Sequence, residues 1–244
     1  DDKLCTKTVV NGQPAVFYGI GEAPKLAENG QPMAEKSIYA TDIENLGFEG
    51  MKAKINTPEG SFVAQIPIAG EHNVYNALAA TAAGLKLGLT ISEIAAGIAS
   101  VETISGRTNF LDVNGMTVID DCYNANPVSM EAALDVLSHA EGRSIAVLGD
   151  MGELGADEKA LHYGVGKVVG EKKITALFAT GELACQYADA AVAVNPDCDI
   201  HYFQTREEMT KALLSYVKEG DTILVKASHF MEFPKVVEAL KEKK

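Results

Sequence analysis

No apolar run in the sequence approaches the roughly 20 residues needed to span a bilayer, so membrane insertion is not expected. Cysteine is scarce. Cys5, Cys122, Cys185 and Cys198 are irregularly spaced, and none forms a C-x-x-C pair. That argues against a disulfide framework or a zinc site and for reduced thiols in the cytoplasm. Basic charge is also short: 21 Lys and Arg face 34 Asp and Glu, for a formal net charge of -13 and a pI of about 4.8. A surface of that sign repels phosphate backbones and anionic lipid, so nucleic acid is not an expected partner. A nucleotide, which needs only a local pocket, is not excluded. The start, Asp1-Asp2-Lys3, has no initiator methionine and does not read as a signal peptide. A processed or truncated chain is the expectation.

What is present is ordinary for a globular protein. The 244 residues are 47% hydrophobic and 23% charged, enough for one large domain or two small ones. The first seventy or so residues read as β-structure. Thr8–Val10 and Ala15–Ile20 flank Asn11-Gly12, and Lys52–Asn56 and Phe62–Ile68 flank Thr57-Pro58-Glu59-Gly60. Ala23–Glu35 is polar and reads as a surface loop. Val74, Leu78, Thr81 and Leu85 recur at helical spacing and Gly88 supplies a stop; Ser92 is read as the cap of a second helix through Ile94 and Ile98.

Beyond Ser105-Gly106 the pattern changes. Asn114-Gly115 marks another hairpin, and then apolar strands alternate with amphipathic helices. The strands are Ile119–Asp121, Ser144–Gly149, Ile174–Thr180, Asp199–Phe203 and Thr222–Ala227; the helices are Ser129–His139, Asp157–Val169, Glu182–Val192, Arg206–Val217 and Phe233–Lys241. This is the pattern of an α/β fold with a doubly wound parallel sheet. Ligands of such sheets bind beyond the carboxyl ends of the strands. That rule selects the loops 120–127, 149–155 and 226–232.

The first loop, Asp120-Asp121-Cys122-Tyr123-Asn124-Ala125-Asn126-Pro127, suits sugar hydroxyls and phosphate-bound magnesium, with Asp121 the favoured acid. Asn126 before Pro127 is equally a helix cap. The second, Gly149-Asp150-Met151-Gly152-Glu153-Leu154-Gly155, has the glycine spacing G-x-x-G-x-x-G, which is not the dinucleotide pattern. Its carboxylates suit an ammonium group, and a tight turn with solvated acids fits as well. In the third, Lys226 and Ser228 could take a carboxylate, while Lys226 also reads as a strand-end cation. Asn73 and Asn76, one turn apart, can face one adenine edge, and Asn73 also reads as a cap. Arg107, beside the junction, could reach a phosphate or form an interdomain ion pair. Gly164-Val165-Gly166-Lys167 is not a phosphate loop, because Leu161 and Val168 stand where Gly and Ser or Thr are needed. His139, His162 and His201 read as surface residues.

Together these segments resemble the Mur ligases from Asp1 to the end. The most specific are His72-Asn73-x-x-Asn76-Ala77, Gly106-Arg107, the DDxYNANP string from Asp120, the LGDMxELG string from Leu148, and Leu224-Val225-Lys226-x-Ser228. The resemblance implies that residues 1–106 are the rear of the family's central ATP-binding domain, β-rich and then helical. Residues 107–244 would be its Rossmann-like C-terminal domain. It also implies an ATP- and Mg2+-dependent cytoplasmic ligase, monomeric, that joins an amine to a carboxylate through an acyl phosphate in peptidoglycan precursor synthesis. The two strings point to D-alanyl-D-alanine as the amine and UDP-N-acetylmuramoyl-tripeptide as the carboxylate. Carried over, Asn73 and Asn76 hold the adenine, Asp121 the ribose, and Arg107 the phosphates across the interdomain cleft. Asn124 and Asn126 shape the cleft. Asp150 and Glu153 face the dipeptide ammonium, and Lys226 and Ser228 its carboxylate. His229 stands where many relatives have Arg. No residue is assigned to the metal.

The sequence holds no GTNGKT-like phosphate loop, so the chain alone is expected not to turn over ATP. A Mur-type ligase with another acceptor, or a non-catalytic module retaining the fold, are the competing readings. A nicotinamide oxidoreductase is disfavoured by the glycine spacing.

Overall fold

The computed structural model describes residues 9–10, 13–21, 37–103 and 105–243. The chain divides into two compact units, the first ending at Glu102 and the second beginning at Thr103.

In the first unit, β1 (Val9–Val10) and β2 (Gln13–Pro14) pair antiparallel, with Val9 opposite Pro14. The Asn11-Gly12 turn and the polar stretch Ala23–Glu35 lie outside the described residues. A four-stranded sheet follows in the order β3 (Tyr18–Ile20), β4 (Ile38–Asn45), β5 (Met51–Thr57), β6 (Gly60–Ile66). Strand β4 was not expected from sequence. Its inward residues Ile38 and Ala40 are buried, but Asp42 takes φ 51° and the register shifts between Thr41 and Glu44. This bulge breaks the alternation that would reveal a strand. Helices α1 (His72–Lys86) and α2 (Ile91–Ala99) cover one face, with Val74, Leu78, Ile94 and Ile98 packing on Ala53 and Ile55. The cap of α2 is Thr90, not Ser92. Thr90 Oγ1 accepts from Glu93 N at 3.3 Å and Glu93 Oε2 accepts from Thr90 N at 2.8 Å, a reciprocal capping box.

The second unit is the doubly wound α/β sheet, in the order β11-β10-β9-β12-β8-β7. The edge strand β7 (Asn109–Val113) turns through Asn114 (φ 52°) and Gly115 (φ 75°) into antiparallel β8 (Met116–Asp120). Two left-handed residues are what a two-residue hairpin requires. The remaining strands, β9 (Ser144–Gly149), β10 (Ala176–Thr180), β11 (Asp199–Phe203) and β12 (Thr222–Lys226), run parallel with β8. Every residue of β9, β10 and β12 is buried, which explains why they read as continuous apolar runs. Helices α3 (Pro127–Leu137), α4 (Glu158–Glu171) and α5 (Cys185–Val194) form one covering layer. Helices α6 (Arg206–Tyr216) and α7 (Pro234–Glu242) cover the opposite face through Met209, Leu213, Val237 and Leu240.

The Gly164–Lys167 stretch lies within α4, and its glycine has a packing reason. A Cβ on Gly166 would sit 2.5 Å from Tyr187 O, so only glycine lets α4 and α5 come this close. Among the described residues no helix is long and apolar enough to cross a membrane.

Candidate functional site

The carboxyl ends of β8, β9 and β12 are adjacent in the second unit, and the three expected loops meet there. In the first loop the two neighbouring acids have different tasks. Asp120 is buried and turns inward: its Oδ2 accepts from Gly106 N at 2.8 Å and Ser105 Oγ at 3.0 Å, and its Oδ1 accepts from the Cys122 thiol at 2.8 Å. Burial, with Asp120 beside it, pushes the Cys122 thiol far above its ordinary range. Asp121 Oδ1 accepts from Thr108 N at 2.9 Å, and its Oδ2 is 2.6 Å from Lys226 Nζ.

Lys226 is only 2% exposed, and its ammonium also donates to Asn124 O at 3.1 Å. A buried cation needs such partners. Its head group is therefore committed to the protein rather than open to a ligand carboxylate. By the same geometry, both oxygens of Asp121 are already engaged.

The second loop is held residue by residue. Gly149 O accepts from the Tyr187 hydroxyl at 3.1 Å, and Met151 N donates to His162 Nε2 at 2.9 Å. Gly152 N donates to Ser228 Oγ at 2.8 Å, and Ser228 N donates to Asp150 O at 3.1 Å. The Asp150 carboxylate, 7% exposed, accepts from Leu183 N at 3.1 Å. Burial pushes its carboxyl above the usual aspartate value, and the N–H groups of Leu183, Glu182 and Ala184 oppose that rise. Asp150 thus holds the turn that precedes α5 and is buried. Glu153 follows in the left-handed region (φ 60°) and is exposed.

The third loop contributes Ser228, whose hydroxyl donates weakly to Ala125 O at 3.4 Å, and the exposed side chains of His229 and Phe230. Between the loops lies a cleft of about 620 Å3, bordered by Tyr123, Asn124, Glu153, Ser228, His229 and Phe230. Asn126 also borders it but is chiefly the cap of α3, its Oδ1 accepting from Ser129 N at 2.9 Å. On the rim, the Arg107 guanidinium lies 4.2 Å from the centroid of the Tyr123 ring, and that ring is 6.1 Å from His229.

In the first unit, Asn73 and Asn76 bond to each other. Asn73 is buried; its Nδ2 donates to Ala69 O at 2.8 Å and its Oδ1 accepts from Asn76 Nδ2 at 2.9 Å. Asn76 is exposed. One residue positions and the other presents.

Sequence reasoning missed His162. It is not a surface residue but 0% exposed, and its partners come from two places in the chain. Only its periodicity within α4, four residues after Glu158, was available as a signal. Among the described residues no group of three or more His, Cys, Asp or Glu is arranged to hold a metal ion.

The family model of the Mur ligase middle domain matches residues 4–84, and that of the Mur ligase glutamate ligase domain matches residues 106–229. The chain belongs to the Mur ligase family. This Mur ligase chain is 32% identical over 247 residues to the UDP-N-acetylmuramoyl-tripeptide–D-alanyl-D-alanine ligase of Bacillus subtilis, covering 96% of the chain and 53% of that protein. It is 32% identical over 213 residues to the Escherichia coli enzyme of the same name, covering 86% of the chain and 46% of the relative. A crystal structure of MurF from Acinetobacter baumannii superimposes with a TM-score of 0.77 at 34% identity, covering 85% of the chain and 45% of that structure. The Mur ligase chain thus spans about half the length of the relatives it matches.

Proposed function

We propose that this chain is the dipeptide-accepting and adenine-binding part of an ATP-dependent ligase that joins D-alanyl-D-alanine to UDP-N-acetylmuramoyl-tripeptide. The observation that carries the reading is the cleft at the carboxyl ends of β8, β9 and β12, with Glu153 and Ser228 along it. The reading also draws support from the relatives of that name. The chemistry follows from the substrates. A carboxylate is a poor electrophile until one oxygen becomes a leaving group. Phosphoryl transfer from ATP to the tripeptide's terminal carboxylate supplies that group. The dipeptide amine attacks the acyl carbon, loses its proton, and inorganic phosphate departs.

For this chain the task is to hold the dipeptide. Glu153 is the open carboxylate for the ammonium, since Asp150 is buried against Leu183. The Ser228 hydroxyl accepts from Gly152 N at 2.8 Å but donates only weakly, to Ala125 O at 3.4 Å, so its proton can turn to the dipeptide carboxylate, and the His229 ring is exposed beside it. The Lys226–Asp121 pair sets the floor beneath Asn124 and does not itself contact the ligand. Arg107, stacked on Tyr123, is an exposed cation for a phosphoryl oxygen. No step is assigned to magnesium.

The test is isothermal titration of the chain with D-alanyl-D-alanine, with L-alanyl-L-alanine as control. Selective binding of the D,D-dipeptide is expected, weakened about five-fold in Glu153→Gln, as for an exposed ion pair. Equal affinity for both dipeptides, or none for either, would remove the acceptor assignment.

Nucleotide binding has its own check. Asn76→Ala is expected to weaken binding of a non-hydrolysable ATP analogue about ten-fold, the value of a hydrogen bond to a specific edge, and to lower the unfolding midpoint slightly, because it removes the donor to Asn73 Oδ1. Asn73→Ala should lower the midpoint further, because it also leaves Ala69 O without its donor. Equal midpoints for the two variants would contradict the division of labour between them.

A further inference from the structure

The loop 149–153 receives anchors from several elements, and one of them comes from a side chain with no place in the proposed chemistry. His162 sits in α4, fully buried, with its ring 5.0 Å from that of Tyr187. Its Nε2 lies 2.9 Å from Met151 N and its Nδ1 lies 2.7 Å from Glu158 O. A backbone N–H can only donate and a carbonyl can only accept. The ring is therefore neutral, with the proton on Nδ1 and a lone pair on Nε2 aimed at Met151.

We propose that His162 is a positioning residue: by accepting the Met151 N–H as the Nδ1–H tautomer, it fixes the turn that delivers Glu153 to the cleft. Met151 lies at the centre of the turn. Its neighbours Gly149, Asp150 and Gly152 are tied to Tyr187, Leu183 and Ser228. Without His162, the Met151 N–H would lose its acceptor in a buried place, and such a donor is costly. The turn would relieve that cost by opening, and Glu153, strained at φ 60°, stands next to the opening. The position of Glu153 matters for dipeptide binding only if the acceptor reading above holds, and to that extent the inference rests on it.

Two substitutions separate the two ends of the ring. His162→Gln can place an amide oxygen where Nε2 was and still accept from Met151. His162→Asn can reach only Glu158 O. The first readout is 15N NMR of the chain, which reports the tautomer with no substitution. An Nδ1-protonated, Nε2-unprotonated ring is expected; a protonated Nε2 would overturn the proposal. The second is hydrogen exchange at Met151 to Glu153. Exchange about ten-fold faster is expected in His162→Asn, with wild-type protection restored in His162→Gln and β12 unchanged in both. Equal behaviour of the two variants would overturn it. Titration with D-alanyl-D-alanine then follows the exchange order, weaker for Asn than for Gln. Should the wild-type chain bind no dipeptide, the acceptor reading fails while the exchange data still decide the positioning role.

Discussion

Lys226→Ala is expected to destabilise the second unit by about 3–5 kcal/mol, the cost of removing one partner from a buried ion pair. The Lys226 side chain is 3% exposed and that of Asp121 is 14% exposed, with 2.6 Å between the charged atoms. Removing the ammonium leaves the Asp121 carboxylate with Thr108 N as its remaining partner and leaves Asn124 O without a donor. Urea unfolding would show a lower midpoint with an unchanged slope. A double variant, Lys226→Met with Asp121→Leu, should recover most of the loss, because two matched apolar groups need no solvation. If the single variant loses less than about 1 kcal/mol, as a solvated pair would, the pair is not the closed floor described above. Recovery of stability in the double variant without recovery of ligand binding would mean that the pair is kept to shape the loop around Asn124 rather than to stabilise the fold.

Gly181→Ala is expected to cost about 3 kcal/mol, from backbone strain and overpacking together. Gly181 takes φ 130°, which side-chain-bearing residues rarely adopt, and a Cβ there would lie 2.3 Å from the Asp150 carboxylate. The two effects are separable. In an Asp150→Ala background the clash is gone and only the strain remains, so the costs should be clearly non-additive. Thermal unfolding of the four proteins in this cycle would read the difference. Strict additivity would mean that Gly181 and Asp150 do not touch.

Local patterns carried much of the fold in the sequence. The bounds of β9 and β11 agree with those read from their apolar runs, and the Asn114-Gly115 hairpin follows from backbone chemistry alone. The family resemblance and the three strand-end loops were legible too. What was not legible depended on neighbours distant in sequence. Lys226 and Asp121 are 105 residues apart, and nothing in either segment says that they face each other. Likewise the partner of Asp150 is a backbone N–H beyond β10, so its inward orientation had no local signal. His162 lies on a helix with exposed charges at Glu158, Lys159, Lys167 and Glu171, and its burial is set by α5 and the Met151 turn. The spacing of Asn73 and Asn76 correctly gave a shared face, but not that they would bond to each other. The bulge hides strand β4 in the sequence, and the cap of α2 is Thr90 rather than Ser92 through its reciprocal bond with Glu93.

The strand order has a consequence for how the second unit comes into being. Strand β12 lies between β8 and β9, yet it is the last strand of the sheet in chain order. As the polypeptide emerges, β8 and β9 are made early and wait with open edges for a partner that comes much later. Their neighbours β7 and β10 can zip on from the outside, but the middle of the sheet cannot close until β12 is inserted. Pairings this distant in sequence are slow to form, and open apolar edges invite association with other chains. The strand that brings Lys226 and Ser228 to the cleft is therefore also the closing step of assembly. In a nascent chain the ligand-binding end of the sheet and its hydrophobic centre would be completed by the same event.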